Sequence, residues 1–311
     1  MQMGRQGGFL VLIAVGIVAA QERPMVHYPK QGGVVFALPH VSLILEAPFP
    51  HHRTVCVDGK PVPEDAISGC RICAGSRPAV LAAKTRWTVK DGAHQLEVLS
   101  PEGGRLTAFR YTVDTTTPSL NGITGTLAFP DAQGAFVPSL RVGGIFASRT
   151  PKGQVWLALT GGRSFPLEVA MKRALNSRKS EVIWKGTWRL SPHWSLSVGQ
   201  HDGDAFFAFG YHTQPNYLSL TLGGGKDKLP SVWLGISYSL SHLTAQLRPP
   251  TKAQDFFAVL DLIRLQVEVD SNGRVNFGGV LCHPYGWRIG IAHLQTQRAW
   301  IGQVSLSLVW R

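Results

Sequence analysis

Beyond residue 20 this sequence has no apolar run long enough to cross a bilayer as a helix, which takes about 20 consecutive apolar residues. Any passage of the mature chain through a membrane therefore has to use strands, whose apolar residues recur at every second position and escape a hydropathy plot. Charge is scarce as well. Only 16% of residues are Asp, Glu, Lys or Arg while 44% are hydrophobic, a balance that excludes a disordered chain. Heptad runs and a glycine triplet repeat are both missing, which removes coiled-coil and collagen architectures.

Chemistry-bearing motifs are equally sparse. Neither a Walker loop nor a dinucleotide fingerprint occurs, and "LGGGKDK" at a strand end reads as a hairpin turn. Of four cysteines, Cys70 and Cys73 have CxxC spacing, but no second CxxC follows and no βαβ pattern surrounds them, which argues against zinc or thioredoxin-like chemistry. In an exported chain the expectation is a structural disulfide from Cys56 to Cys70 or Cys73. His51 and His52 are adjacent on a strand and point to opposite faces, so no metal site is assigned. The best catalytic candidate, "GQHDGDAFF" around His201, Asp202 and Asp204, has the composition of a turn between two strands. The chain is read as non-enzymatic, without cofactor.

What is present begins with export. Residues 1–20 combine a basic head at Arg5, an apolar run from Phe9 to Val18 and small residues up to Ala20, the pattern of a secretory signal peptide. From 21 to 118 short β runs alternate with turns, and Asp58-Gly59 and Asp91-Gly92 suit tight reversals because glycine accepts positive φ. The stretch "VKDGAHQLEVLSPEGGRLTAFRYTVDTTTP", Val89 to Pro118, resembles the closing half of bacterial Ig-like modules. That resemblance implies a β-sandwich domain used as a spacer or binding unit; the cysteine-bearing insertion from Pro61 to Val80 is not part of its pattern.

From 119 to 311 the two-residue period dominates. In "LIRLQVEVD" Ile263, Leu265, Val267 and Val269 oppose Arg264, Gln266, Glu268 and Asp270; in "WKGTWRLS" Trp184, Trp188 and Leu190 oppose Lys185, Thr187 and Arg189. Many segments approach the ~9–11 residues of a spanning strand. Aromatics near their ends, Trp184, Trp194, Trp233, Trp287, Trp300 and Trp310, suit a membrane-interface girdle. The ending "QVSLSLVWR" resembles the C-terminal signal strand of bacterial outer-membrane barrels, with Arg311 added after the usual final aromatic, which implies the barrel assembly machinery as a partner.

The fold expected is all-β: an N-terminal Ig-like sandwich followed by an antiparallel transmembrane β-barrel of about 12 strands, within a range of about 10 to 14. The segment 119–311 carries 19 Lys plus Arg against 10 Asp plus Glu, most of the formal excess of +12. With charge excluded from the lipid face, that excess belongs to lumen and loops, where it suits anions or lipopolysaccharide phosphates. Export and the lack of a recognition motif exclude nucleic acid. Lys185, Arg189 and Arg264 are the candidate lumen cations, with Glu268 and Asp270 placed to neutralise Arg264. The function expected is an outer-membrane channel, narrow and anion-preferring, or a structural anchor, with the module in the periplasm touching a periplasmic or cell-wall partner. The alternatives are a surface-displayed binder, a secreted carbohydrate-binding protein and a lipid-modifying barrel enzyme.

Overall fold

The computed structural model describes residues 26–36, 43–46, 54–63, 67–70, 89–148, 153–162, 165–177, 179–201, 203–227, 229–246, 259–295 and 297–309. The expected signal peptide of residues 1–20, Cys73, the His51-His52 pair, Asp202, Trp310 and most of the Pro61–Val80 segment lie outside them.

The N-terminal part contains β1 (Val26–Tyr28), β2 (Val34–Phe36), β3 (Leu43–Glu46), β4 (Thr54–Val57), β5 (Lys60–Pro61), β6 (Ile67–Cys70), β7 (Gly92–Leu99) and β8 (Arg105–Asp114). They form a five-stranded sheet in the order β2-β8-β7-β4-β5 and a separate three-stranded sheet β1-β3-β6. Alternation along β7 and β8 turns Leu96, Val98, Tyr111 and Val113 inward onto Val35, Val55 and Val57. Between β4 and β5 the reversal is the expected Asp58-Gly59 pair, with φ of 50° and 74°; two consecutive positive angles make the primed turn that suits strand twist. The disulfide expected at Cys56 is not formed: Cys56 is a buried free thiol. It is fixed mid-strand in β4 of the five-stranded sheet, whereas Cys70 ends β6 in the other sheet.

Twelve further strands follow: β9 (Ser139–Ala147), β10 (Gln154–Gly161), β11 (Leu167–Ala174), β12 (Ser180–Arg189), β13 (Trp194–His201), β14 (Asp204–His212), β15 (Leu218–Gly225), β16 (Trp233–Ser239), β17 (Ile263–Asp270), β18 (Val275–Cys282), β19 (Trp287–Leu294) and β20 (Ala299–Val309). Each pairs antiparallel with the next, and β20 closes on β9 from Val309↔Ser139 to Ile301↔Ala147. The result is a closed barrel with the number of strands expected. Closure leaves no unpaired strand edge. A short helix α1 (Ser241–Gln246) lies between β16 and β17, the longest connection of the barrel.

The wall is sorted by the strand period. Along β17, Leu265, Val267 and Val269 are exposed on the outer surface while Arg264, Gln266, Glu268 and Asp270 are buried on the inner one. On β12, Trp184 and Trp188 face out and Lys185 and Thr187 face in. Trp194, Trp287 and Trp300 are likewise on the outer face. Trp233 departs from the interfacial place expected of it: only 1% of its surface is exposed. It shares the inner face with Gly235, Ser237 and Ser239, and its ring fits because its cross-strand partner is Gly223, where a Cβ would collide with the indole.

The N-terminal part sits on the end of the barrel where β9 begins and β20 ends. Phe36 N donates to Pro284 O at 3.0 Å, the Phe36 ring packs on Val280 and Cys282, and Leu262 joins the core of the five-stranded sheet.

Candidate functional site

Between β8 and β9 the chain enters the barrel and returns. Residues 115–138, a Thr-, Gly- and Pro-rich stretch without helical or strand period, are almost wholly buried within the lumen. The bridges Pro118↔Thr124 and Gly125↔Pro130 tighten the reversal. This plug carries its own apolar side chains. Leu120 and Leu127 pack on Ile145, Leu294 and Ile301; Ile123 packs on Trp156 and Ile183; Phe129 packs on Phe206 and stacks on Trp233 with ring centroids 5.3 Å apart. Full burial of such a side chain contributes about 2 kcal/mol. Gly122, at φ +91°, lies flat on Trp156, where a Cβ would meet the indole at 2.7 Å.

A re-entrant segment without regular structure leaves many backbone groups to satisfy, and the wall supplies the partners. The Glu268 carboxylate accepts from the backbone N–H of Leu127 at 2.7 Å, of Ala128 at 3.0 Å and of Phe129 at 2.9 Å, and also from the Thr126 hydroxyl. Glu168 accepts from Thr124 N and Oγ1, both at 2.7 Å. Charged acceptors make strong hydrogen bonds in a dry interior.

The three expected lumen cations all face inward, and all bind the plug or its surroundings. Lys185 Nζ donates to the carbonyl oxygens of Thr124 at 2.7 Å and Gln133 at 2.5 Å, and lies 3.3 Å from both the Asp131 and the Glu168 carboxylates. Arg189 stacks over the Phe136 ring at 3.8 Å and donates to Gly134 O and Ala135 O. Arg264 donates to Asn216 O at 2.6 Å and to Ser237 Oγ. Glu268 and Asp270, placed on the same face as Arg264, are engaged elsewhere: Glu268 holds the plug, and Asp270 pairs with Arg274 at 2.6 Å.

Besides Glu168, three further wall residues that sequence reasoning left aside complete the set. Arg141 bridges Glu168 at 3.4 Å and the Thr124 hydroxyl at 3.1 Å. Arg288 donates to Ser307 Oγ at 2.7 Å and Thr116 O at 3.3 Å. Gln303 donates to Ser119 O at 3.2 Å. The signal available for them was the strand period alone, which puts each on the inner face.

At the end bearing the N-terminal part a cleft of about 600 Å³ lies between the five-stranded sheet, which contributes Val34, Arg110 and Tyr111, and the barrel mouth, which contributes Phe136, Pro138 and Arg189. At the opposite end a second cavity of about 390 Å³ has Leu120, Asn121, Ala128 and Phe129 of the plug among its lining residues. Near this second cavity His201 and Asp204 pair across the β13–β14 hairpin, with Gly203 at φ +94° in the strand reversal expected there. Asp91, outside the barrel, accepts from Thr115 N and Oγ1 at 2.7 Å each where the plug begins. Burial, reinforced by the nearby Asp114 carboxylate, raises its pKa to about 6.

No protein-family model matches the chain, and no curated protein matches it in sequence. Among solved structures it is similar to a KdgM porin, with a TM-score of 0.38 and 11% identity over 56% of this chain and 99% of that one. At that level of similarity neither permeant nor activity transfers from one to the other.

Proposed function

We propose that the chain is a non-enzymatic outer-membrane barrel, closed by its own linker, that anchors an Ig-like module on the periplasmic side. The outer wall supports the membrane placement: along β17 and β12 it presents Leu, Val and Trp where charge at mid-bilayer would cost about 2–4 kcal/mol per Lys or Arg. The observation that carries the anchor reading is the plug itself, whose backbone is held by Glu168, Glu268, Lys185 and Arg141 at the centre of the lumen. A channel would need that whole set of contacts released.

The β-rich core around Leu96, Val98, Tyr111 and Val113 supports the Ig-like reading of the N-terminal part. Its partners would be lipopolysaccharide and lipid around the wall, the assembly machinery at β20, and a periplasmic or cell-wall component at the module.

A second reading, an anion path that opens when the plug leaves, is favoured by the charges behind it. Arg141, Lys185, Arg189, Arg264 and Arg288 face inward against Glu168, Glu268 and Asp270, so an emptied lumen would be cationic.

Two measurements test the placement. The protein should sediment with outer membranes and migrate anomalously on gels until boiled, as closed barrels do. The module should resist protease on intact cells and be cleaved only after permeabilisation; cleavage on intact cells would place it outside and make the chain a surface binder.

A further inference from the structure

Along the outward faces of the twelve barrel strands, Arg173 is the one Asp, Glu, Lys or Arg side chain among the described residues. On β11 it shares the exposed face with Leu167, Val169 and Met171, while Glu168 and Lys172 turn inward. Its paired neighbour on β10 is the exposed Val155, and the exposed Val182 of β12 pairs with Met171 below it. Arg173 therefore tops an apolar wall, one residue before β11 ends, at the barrel end opposite the N-terminal part. An outward cation is costly at mid-bilayer and nearly free at the interface, so its place is among the headgroups.

The hairpin turn fixes the guanidinium without neutralising it. Ser177 N donates to Ala174 O at 3.1 Å, Lys179 N donates to Ser177 Oγ at 3.1 Å, and Arg173 Nε donates to Ser177 O at 3.3 Å. That bond uses one of the five N–H donors of an arginine fork. No carboxylate pairs with Arg173 among the described residues. Glu181, across the same hairpin, lies on the side of Ile183 and Lys185 and is taken by Lys172 at 2.9 Å. Lys179 is exposed next to Ser180, the cross-strand partner of Arg173, and no described acid pairs with it either. A planar fork held at headgroup depth matches the oxygens of a phosphate, which it can engage with two parallel hydrogen bonds. From the lone outward charge, its position and its open donors, we infer that Arg173, with Lys179 beside it, holds a phosphate of a lipopolysaccharide headgroup against the β11–β12 rim. The inference rests on the membrane placement proposed above and adds to it the place on the wall where that lipid is held.

The test is native mass spectrometry of the purified full chain in an amine-oxide detergent, titrated with diphosphoryl lipid A, with the same lipid stripped of both phosphates, and with phosphatidylglycerol. The diphosphoryl form should bind about tenfold more tightly than the stripped form. Arg173→Gln should lower its affinity about fivefold or more and leave the stripped form unchanged, and Arg173→Lys, a point charge without the fork, should recover part of the loss. Lys226→Gln, which removes an exposed cation between β15 and β16 at the same barrel end, should bind like the parent. Gel migration before and after boiling shows whether each variant is folded, and the phosphate dependence of the parent decides without any variant. Equal binding of the two lipid A forms would overturn the inference. So would a folded Arg173→Gln protein that binds like the parent, equal losses from Arg173→Gln and Lys226→Gln, or a preference for phosphatidylglycerol over lipid A. Sedimentation with outer membranes reads the placement separately: a chain that sediments there without phosphate dependence loses this inference alone.

Discussion

Lys185 and Glu168 are direct cross-strand partners on β12 and β11, their charged groups lie 3.3 Å apart, and neither side chain has any exposed surface. With Arg141 and Asp131 they form an ionic cluster at the plug. A pair so thoroughly removed from water is stabilising only while it is complete, because the removal of one member strands the other.

Replacing Lys185 by Met or Glu168 by Gln should therefore destabilise the barrel by about 3–5 kcal/mol each. The double variant should lose less than the sum of the two, since the residues are coupled. The temperature at which gel migration changes reports both effects; strict additivity would mean that the pair does not interact as described.

Trp233 and Trp300 should separate the two faces of the wall. Brominated lipid should quench fluorescence that Trp300→Phe removes, and leave unquenched the fluorescence that Trp233→Phe removes, because one indole is on the outer surface and the other stacks on Phe129. Trp233→Ala should cost about 3–5 kcal/mol through the cavity left in the lumen, and Trp300→Ala much less.

Asp91 should make the start of the plug sensitive to acid in an unusual direction. With its pKa raised from 3.8 to about 6, the native protein holds a proton that the unfolded chain has released. Its contribution is thus most favourable below pH 3.8 and declines as pH rises through about 6. Asp91→Asn should remove that decline from denaturation measured across this range; an unaltered pH profile would contradict it.

Much of the wall was legible because the outer and inner faces follow a strict period of two: Leu265 out and Arg264 in, Trp184 out and Lys185 in. Two strands were harder to see. β9 reads "SLRVGGIFA", with a glycine pair that interrupts the pattern, and β11 reads "LEVAMKRA", which mixes Glu and Lys into the inner face. Trp233 was misassigned by residue type, since a tryptophan near a strand end suits an interface, although its place in the alternation turns it inward. The plug left no periodic trace at all. Residues 115–138 are held by tertiary contacts to Glu168, Glu268 and Lys185, which lie 44 to 141 residues away in the chain, and local pattern carries no record of such partners.

If the plug is displaced, wall charge should become visible to ions. In a variant lacking residues 119–134, the reversal potential under a salt gradient should indicate anion preference, and Lys185→Glu with Arg189→Glu should shift it toward cations. An unchanged reversal potential would remove Lys185 and Arg189 from any ion path.

Planar-bilayer conductance of the intact chain beside the variant lacking residues 119–134 tests plug closure most directly. The intact protein should be silent, because Glu268 and Glu168 hold the segment across the lumen, and the shortened protein should give discrete open steps. Equal conductance from both, with each folded by heat-modifiable migration, would contradict a barrel closed by its own linker.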